Sequence, residues 1–308
     1  MKSLQSPLFY PSNKNKISVK NTLYTLLIVT IYSYIIFSIN TPQELGEVLF
    51  HSERDRGIIS YEMNSLYQGG TIQIKVLTPK SFKKDKKYKV LYALPVSPEN
   101  LDKWWINGLR VLSKHAIPDQ YDVICVYPMF LRAPWYVDNP NNEKIKQESF
   151  ILKEVIPFID EQFNTIKSSQ GRFLLGFSRS GFGALSLLVR NTNIFGGAAV
   201  WDGTLVFDSL KNWQAGVEEI FGTQENLRTY YLPAAIQKNS NQLRQSSPRI
   251  VLMGYAYPNT KQQTEIIHQI FINERIGHIF DISVKRKHAW NSGWVPKAIE
   301  YLFSEENN

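Results

Sequence analysis

One stretch of the sequence has the residue types and the spacing of a nucleophilic centre. An apolar segment at 173–175 runs into a G-F-S-R-S turn at 176–180, after which small residues open a helical pattern. A serine in such a turn projects its hydroxyl outward, and the residues two before and two after it must be small for strand and helix to approach. Gly176 meets this need and Ser180 meets it less completely. The pattern predicts Ser178 as a nucleophile; the alternative is a serine that only caps a helix.

A serine nucleophile needs a base, and His288 is the histidine best placed to supply it. Where a strand–turn–helix unit carries the serine, the chain order is serine, acid and then a histidine near the C-terminus. His288 follows the last predicted strand and precedes the last predicted helix, in K-H-A-W-N-S-G-W at 287–294. A loop there can return over the turn that carries Ser178. We expect the other histidines to be surface or core residues: His51, His115, His268 and His278.

The elements that must position these residues alternate between strands and helices. Strands are predicted at 57–64, 71–78, 88–94, 122–127, 172–177, 197–201, 249–254 and 280–284, and helices at 144–163, 180–190, 262–273 and 295–303. The first two strands flank a Q-G-G turn and should form an antiparallel hairpin. The later strands are apolar without alternation, as buried parallel strands are. This pattern predicts an α/β fold, with a mostly parallel central sheet, an antiparallel N-terminal edge and helices on both faces.

The chain divides into an N-terminal region and one large domain. We predict a polar linker at 40–56 and an α/β domain at 57–308. Residues 203–247 fit no simple strand–helix unit, so this segment is a possible cap over the C-terminal edge of the sheet.

The N-terminal segment at 1–39 has the composition of a membrane signal. Positions 1–21 form a basic leader, and positions 22–39 form an uninterrupted uncharged run. As a helix that run would measure about 27 Å, close to the thickness of a bilayer core. Lysines before it and glutamates after it predict a cytoplasmic N-terminus and an exported domain. We rank an uncleaved signal anchor above a cleaved signal peptide, which would leave a secreted or periplasmic protein, and above a buried N-terminal helix.

Charge and cysteine content exclude several classes of protein. The net charge is +8, but four lysines fall within the leader at 1–21, where there are no acids. The remaining +4 leaves no basic stripe that would indicate a nucleic-acid partner. A single cysteine, Cys125, can form neither an intrachain disulfide nor a cysteine-based metal cluster. A serine nucleophile with a histidine base also implies no metal and no organic cofactor.

Several short stretches also carry a family resemblance. They are K-V-L-Y-A-L-P-V at 89–96, P-W-Y-V-D-N-P at 134–140, Q-E-S with V-I-P-F-I-D within 147–160, G-F-S-R-S-G-F-G-A-L at 176–185, A-A-V-W-D at 198–202 and H-A-W-N-S-G-W at 288–294. In this order they resemble esterases of the α/β-hydrolase superfamily. The group concerned is related to esterase D and, more distantly, to mycolyltransferases and feruloyl esterases. The resemblance implies hydrolase chemistry, with Ser178 as nucleophile and His288 as base.

The third member of a triad has more than one candidate in this sequence. The resemblance implies an aspartate in the loop after the seventh strand, but Asn259 stands about where it would be expected and Glu265 comes later. Asp202 directly follows the sixth strand, a position from which some hydrolases take their acid. We rank Asp202 first, with Glu265 or no carboxylate at all as alternatives.

The oxyanion hole also departs from the family pattern. Many of these esterases carry His-Gly after the third strand, where this chain has L-P-V-S-P at 94–98. Proline has no N–H, so only Val96 or Ser97 could donate beside the backbone N–H of Arg179.

Together these features predict a serine-dependent hydrolase, most simply an esterase that acts through an acyl-enzyme on Ser178. Its substrate would be a small-molecule or glycan ester. Two alternatives remain open: a non-catalytic α/β-hydrolase-like domain that binds a partner or glycan, and an acyltransferase that uses a sugar or lipid hydroxyl.

Overall fold

The computed structural model describes residues 47–50, 54–55, 57–98, 108–211 and 216–304, with side chains from residue 57 onward. Leu45–Asn308 makes up one unit of the chain. The predicted leader at 1–21 and the predicted membrane span at 22–39 lie outside the described residues. No helix within the described ranges combines the length and apolar character that crossing a bilayer requires.

A mixed β-sheet runs through the centre of the domain. Its strands are β1 (Glu47–Phe50), β2 (Arg54–Asp55), β3 (Ile58–Ser65), β4 (Gly70–Leu77), β5 (Lys89–Ala93), β6 (Val123–Pro128), β7 (Arg172–Phe177), β8 (Gly197–Trp201), β9 (Arg249–Tyr255) and β10 (Ile279–Lys285). They lie in the order β1-β3-β4-β6-β5-β7-β8-β9-β10, with β2 also paired to β3. Along this spatial order, the neighbouring strands are antiparallel as far as β6, and β2 is also antiparallel to β3. From β6 through β5 to β10, the neighbouring strands are parallel. The predicted mostly parallel sheet with an antiparallel N-terminal edge is confirmed.

Helices surround this sheet. They are α1 (Gly108–Lys114), α2 (Ile117–Tyr121), α3 (Gln147–Ser149), α4 (Ile156–Gln162), α5 (Ser178–Arg190), α6 (Val217–Phe221), α7 (Gln224–Thr229), α8 (Leu232–Lys238), α9 (Ser240–Ser246), α10 (Pro258–Asn273) and α11 (Val295–Phe303). A π-helical stretch, Phe150–Val155, joins α3 to α4. The helix predicted at 144–163 is therefore continuous only over 147–162, and it changes its winding within that run.

The apolar residues of the sheet divide between two cores, one on each face. One core contains β-sheet side chains packed against α4, α5, α8 and α10, for example Leu185, Ile236 and Ile267. The other packs the opposite face against α1, α2 and α11, for example Leu112 and Ile299. Every residue of β6, β7 and β8 is buried, which explains why their sequences are apolar without alternation.

The N-terminal edge extends further than the sequence predicted. Residues 47–50 and 54–55, placed in the predicted linker at 40–56, form β1 and β2 and pair antiparallel with β3. The V-L-F run at 48–50 has the apolar and β-branched character that favours a strand, and β3 offers an edge with unpaired backbone groups. These residues are therefore strand rather than linker.

Residues 203–247, the possible cap, contain α6 to α9 among their described residues. Leu232 and Ile236 on α8 are buried in the same core as the apolar face of α5. This part of the segment thickens the helical layer beside the sheet.

Candidate active site

Ser178 lies at the turn between β7 and α5 with a left-handed backbone, at φ 54°. Such a conformation costs a non-glycine residue about 1–3 kcal/mol and persists only when its surroundings hold it. Two backbone hydrogen bonds do so: the Ser178 N–H donates to the Asp202 carbonyl at 3.2 Å, and the Ser178 carbonyl accepts from the Thr204 N–H at 3.1 Å. The turn after β7 is thus tied to the turn after β8.

The steric need for a small residue before Ser178 is met at Gly176. A Cβ atom there would lie 2.1 Å from the carbonyl oxygen of Ser180. On the other side of the nucleophile, the Ser180 hydroxyl turns back on the strand end, where it accepts from the Phe177 N–H at 3.1 Å and donates to the Phe177 carbonyl at 3.0 Å. Ser180 therefore fits where glycine is usual, because its hydroxyl is hydrogen-bonded to the backbone of Phe177 within the same turn.

His288 comes from the loop between β10 and α11. Its Nε2 lies 2.9 Å from Ser178 Oγ, and its Nδ1 is hydrogen-bonded to Asp202 Oδ2. The ring packs edge-on against Phe177, with ring centroids 5.1 Å apart, and the Tyr257 ring lies 5.4 Å from it. The structure thus brings together the three side chains that the sequence ranked first.

Buried tryptophans fix the His288 loop. Trp290 and Trp294 stack on each other at 5.2 Å, and Trp294 stacks on Trp201 of β8 at 5.7 Å. The Trp294 indole N–H donates to the Ala289 carbonyl at 3.1 Å. The H-x-W-x-x-G-W motif therefore anchors the loop to the end of the strand that precedes Asp202.

Asp202 is 1% exposed and its carboxylate is fully engaged. While Oδ2 faces His288, Oδ1 accepts from the Ala256 N–H at 2.8 Å and from the Thr260 hydroxyl. Burial alone raises the pKa of such a carboxyl group. The hydrogen bonds that Asp202 accepts outweigh burial, so its pKa lies below the usual range.

The protonation of Asp202 determines the tautomer of His288. An ionised carboxylate can only accept, so the proton of the neutral imidazole lies on Nδ1 and points at Asp202. Nε2 then carries a lone pair that accepts a hydrogen bond from the Ser178 hydroxyl. This is the arrangement in which an imidazole can act as a base toward a serine.

The alternative acids lie outside this arrangement. Asn259 is exposed, and its side-chain oxygen accepts from the N–H of its neighbour Thr260 at 2.9 Å. Glu265 forms an ion pair with Lys261 one helical turn away, at 3.3 Å. Neither residue is hydrogen-bonded to His288.

The remaining histidines in the described ranges are placed elsewhere. His268 and His278 hydrogen-bond each other at 2.8 Å, and His268 stacks on Phe280 at 3.7 Å. His115 follows α1, while His51 lies outside the described residues. Sequence reasoning missed Thr260 and the Ala256 N–H, which complete the surroundings of Asp202.

The expected oxyanion donors lie on two adjacent segments. The Arg179 N–H is in the first turn of α5, where an N–H has no carbonyl partner one turn back. The segment after β5 is held beside it, since the Leu94 N–H donates to the Leu175 carbonyl at 2.9 Å and the Tyr136 hydroxyl donates to the Pro95 carbonyl at 2.5 Å. Val96, which follows Pro95, approaches the Arg179 side chain through its carbonyl at 3.5 Å.

In the described part of the chain, no group of three or more His, Cys, Asp or Glu side chains is arranged to hold a metal ion. Cys125 is a free thiol buried in the core on the α11 face of the sheet.

Comparison with known proteins places the chain in a family. The family model described as "Putative esterase" matches residues 65–245, more than half of the chain. None of the curated proteins compared with the chain matches it.

Solved structures share the fold at low sequence identity. A ferulic acid esterase is 18% identical with a TM-score of 0.64, over 80% of this chain and 96% of that one. The fluorophosphonate-binding serine hydrolase F of Staphylococcus aureus is 18% identical with a TM-score of 0.63, over 80% and 98%. An S-formylglutathione hydrolase from Agrobacterium tumefaciens is 13% identical with a TM-score of 0.63, over 83% and 99%. These likenesses establish a common α/β-hydrolase fold.

Proposed function

Because the chain belongs to this esterase family, we propose that it hydrolyses carboxylic esters with Ser178 as nucleophile, His288 as base and Asp202 as the orienting acid. The observation that carries the proposal is the position of the His288 ring between two partners. Its Nε2 lies 2.9 Å from Ser178 Oγ, and its Nδ1 is hydrogen-bonded to the buried Asp202 carboxylate. A serine, an imidazole and a buried acid joined by successive hydrogen bonds are one arrangement that catalyses acyl transfer.

In the first half-reaction Ser178 Oγ attacks the carbonyl carbon of the ester. Its proton passes to His288 Nε2, and the imidazolium that forms is stabilised by the negative charge of Asp202. When the tetrahedral intermediate collapses, the bond to the leaving oxygen breaks and His288 gives that oxygen its proton. The alcohol departs and the acyl group stays on Ser178.

In the second half-reaction water takes the place of the alcohol. His288 accepts a proton from the attacking water, the acyl carbon forms a bond to the water oxygen, and Ser178 Oγ leaves with the proton returned by His288. The carboxylic acid is released. No step requires a metal or an organic cofactor.

The negative charge on the carbonyl oxygen needs donors in both half-reactions. We assign this role to the backbone N–H of Arg179 together with that of Val96 or Ser97. Removal of one such donor typically lowers kcat by about 10²–10³. The support is the packing of the segment after β5 against the first turn of α5.

The proposal is tested by labelling and by substitution. A fluorophosphonate probe should label the full-length protein at Ser178, mapped by peptide mass spectrometry, and not at the neighbouring Ser180. Ser178→Ala and His288→Ala should each lower kcat for p-nitrophenyl acetate by several orders of magnitude, about 10⁶-fold in a strongly coupled triad. His115→Ala, at the histidine that follows α1, serves as the matched control. A folded protein with no labelling would support the non-catalytic binding alternative.

We propose a small-molecule or glycan-linked carboxylic ester as the substrate. One similar structure is a ferulic acid esterase and another contains bound ferulic acid. A panel of alkyl, aryl and sugar esters tests this class. Product analysis with and without a sugar or lipid hydroxyl acceptor separates hydrolysis from acyl transfer, because only a transferase forms a new ester.

We also propose that residues 22–39 hold the protein in a membrane, with the catalytic domain on the exported side. The support is the uninterrupted uncharged run at these positions, which follows a lysine-containing leader. Carbonate-washed membranes should retain the full-length protein. Recovery in a secreted fraction with a new N-terminus after residue 39 would indicate a cleaved signal instead.

A further inference from the structure

The candidate active site contains a cation that the triad does not use. Arg179 follows Ser178 directly, and the proposed mechanism takes only its backbone N–H. Its half-buried side chain lies over the indole of Trp135, with the guanidinium carbon 4.8 Å from the ring centroid. Trp135 is itself fully buried, packed against Phe182 and Phe207. The guanidinium is therefore held against a rigid aromatic surface.

This guanidinium has few partners within the protein. Nη1 donates to the Val96 carbonyl at 3.5 Å, and the buried Nε has no hydrogen-bond partner. Among the described residues no carboxylate forms an ion pair with Arg179. Two other arginines differ in this respect: the buried Arg172 pairs with Asp160 at 2.6 Å, and the partly buried Arg190 pairs with Glu148 at 3.2 Å.

The charge on Arg179 is present at neutral pH. Burial lowers its pKa to about 10, which still leaves the group protonated. A charge that is partly withdrawn from water without a counter-ion is unfavourable, and an arginine in that position is a ready partner for an anion. A guanidinium carries five N–H donors in one plane, and two of them can donate in parallel to two oxygens of a carboxylate or phosphate.

We propose that the Arg179 side chain binds an anionic group, a carboxylate or a phosphate, on the ester substrate. This inference rests on the proposed function, since it assigns a specificity to the same site. The residue that supplies an oxyanion N–H would then also select, through its side chain, esters with a negative charge close to the scissile carbonyl. Stacking on Trp135 fixes the plane of the guanidinium, and Nη1 reaches the Val96 carbonyl beside the proposed oxyanion donors.

The test compares esters that differ in charge but little in shape. On the acyl side, p-nitrophenyl hydrogen glutarate is paired with p-nitrophenyl valerate. On the leaving-group side, 4-acetoxybenzoate is paired with its methyl ester, and 4-acetoxyphenyl phosphate with its neutral dimethyl phosphotriester. These arms separate a carboxylate from a phosphate and the acyl side from the alcohol side. The readout is the ratio of kcat/KM for the anionic ester to kcat/KM for its neutral partner.

For the wild-type protein we expect a ratio of about 10 or more in at least one pair, since a hydrogen bond to a charged group contributes about 1.5–3 kcal/mol. Arg179→Gln should bring that ratio close to 1, and Arg179→Lys should give an intermediate value because a charge remains without the planar fork. The matched control is Arg244→Gln. Arg244 lies on α9, before the start of β9, and its guanidinium lies near the carboxylate of Glu274. This variant should leave the ratio as in the wild type.

Two results would overturn the proposal. One is a wild-type ratio near 1 in all three pairs; the other is a ratio that survives in folded Arg179→Gln and Arg179→Lys proteins. Fluorophosphonate labelling of Ser178 separates these failures from a failure of the proposed function. A labelled protein without charge selectivity refutes only the role of Arg179, whereas a folded protein that neither labels nor hydrolyses any ester refutes both.

Discussion

Replacement of Asp202 by asparagine tests the triad most directly, because the change is isosteric and its consequence can be followed atom by atom. The carboxylate accepts from the Ala256 N–H and the Thr260 hydroxyl through Oδ1 and from His288 through Oδ2. The asparagine oxygen can keep the first two interactions. Its NH₂ group would then face His288 Nδ1 and could only donate to it.

That reversal forces the imidazole into the wrong tautomer. With Nδ1 as acceptor, the ring proton moves to Nε2 and points at Ser178 Oγ, so the serine has no base. The imidazolium of the transition state also loses its negative neighbour. The equivalent exchange in serine proteases lowers kcat by about 10⁴, or roughly 5 kcal/mol in the activation barrier. We expect a loss of this size for Asp202→Asn.

The assay is the steady-state hydrolysis of p-nitrophenyl acetate, together with the rate of fluorophosphonate labelling at Ser178. Both should fall together, because both depend on the activated hydroxyl. Two matched controls change the alternative acids: Glu265→Gln and Asn259→Asp should each stay within a few-fold of wild type. Far-UV circular dichroism verifies that every variant is folded.

The reasoning would be refuted if folded Asp202→Asn retained activity within about tenfold of wild type. A large gain in kcat for Asn259→Asp would equally show that the acid position lies in the first turn of α10 and that Asp202 has only a structural role.

Other expected outcomes concern stability and reactivity. Gly176→Ala should lower the free energy of unfolding by about 3 kcal/mol, since the added Cβ would lie 2.1 Å from a backbone oxygen. In the control variant Gly277→Ala the added Cβ meets no atom within 4 Å, so the free energy of unfolding should change by less than about 0.5 kcal/mol. Urea melts of both variants measure these changes. Because the pKa of Asp202 is lower in the folded protein than in the unfolded chain, its ionised carboxylate stabilises the fold. This stabilisation is fully present above the unfolded-state pKa of about 3.9 and is lost as the pH falls through the folded-state pKa. The difference in unfolding free energy between wild type and Asp202→Asn should therefore be constant above about pH 5 and shrink in stronger acid; no decrease below pH 4 would contradict the shift. Burial raises the pKa of the Cys125 thiol, so DTNB should react only after unfolding; fast reaction of the native protein would contradict that burial.

The centre of the parallel half of the sheet is predictable because its strands β6, β7 and β8 are buried on both faces. The strands predicted at 172–177 and 197–201 have the same limits as β7 and β8, whose uninterrupted apolar sequence leaves few alternatives. The edge was harder to predict. Residues 47–50 lie in a polar context, and only the pairing with β3 shows that they form a strand.

The candidate site was predictable in its sequence-local parts. The strand–turn–helix pattern located Ser178, and the position of His288 between the last strand and the last helix followed from chain order. The surroundings of Asp202 depend on contacts with Ala256 and Thr260, which lie far along the chain, and no local pattern records such contacts. Helix α10 begins at Pro258 rather than at 262 as predicted, and proline at the first helical position was the signal that could have placed Thr260 in its first turn.

The backbone of Ser178 has a consequence for the durability of the protein as a whole. Its φ of 54° is a conformation that glycine adopts without strain, and the hydrogen bonds that hold it come from the main chain of neighbouring residues. Ser178→Gly should therefore give an inactive protein that is more resistant to unfolding than the wild type, by roughly 1 kcal/mol after the entropy of the added glycine is deducted. Glycine at position 178 thus favours thermal stability, whereas turnover requires serine there. A screen that selects for heat resistance alone would favour Ser178→Gly and so lose the nucleophile.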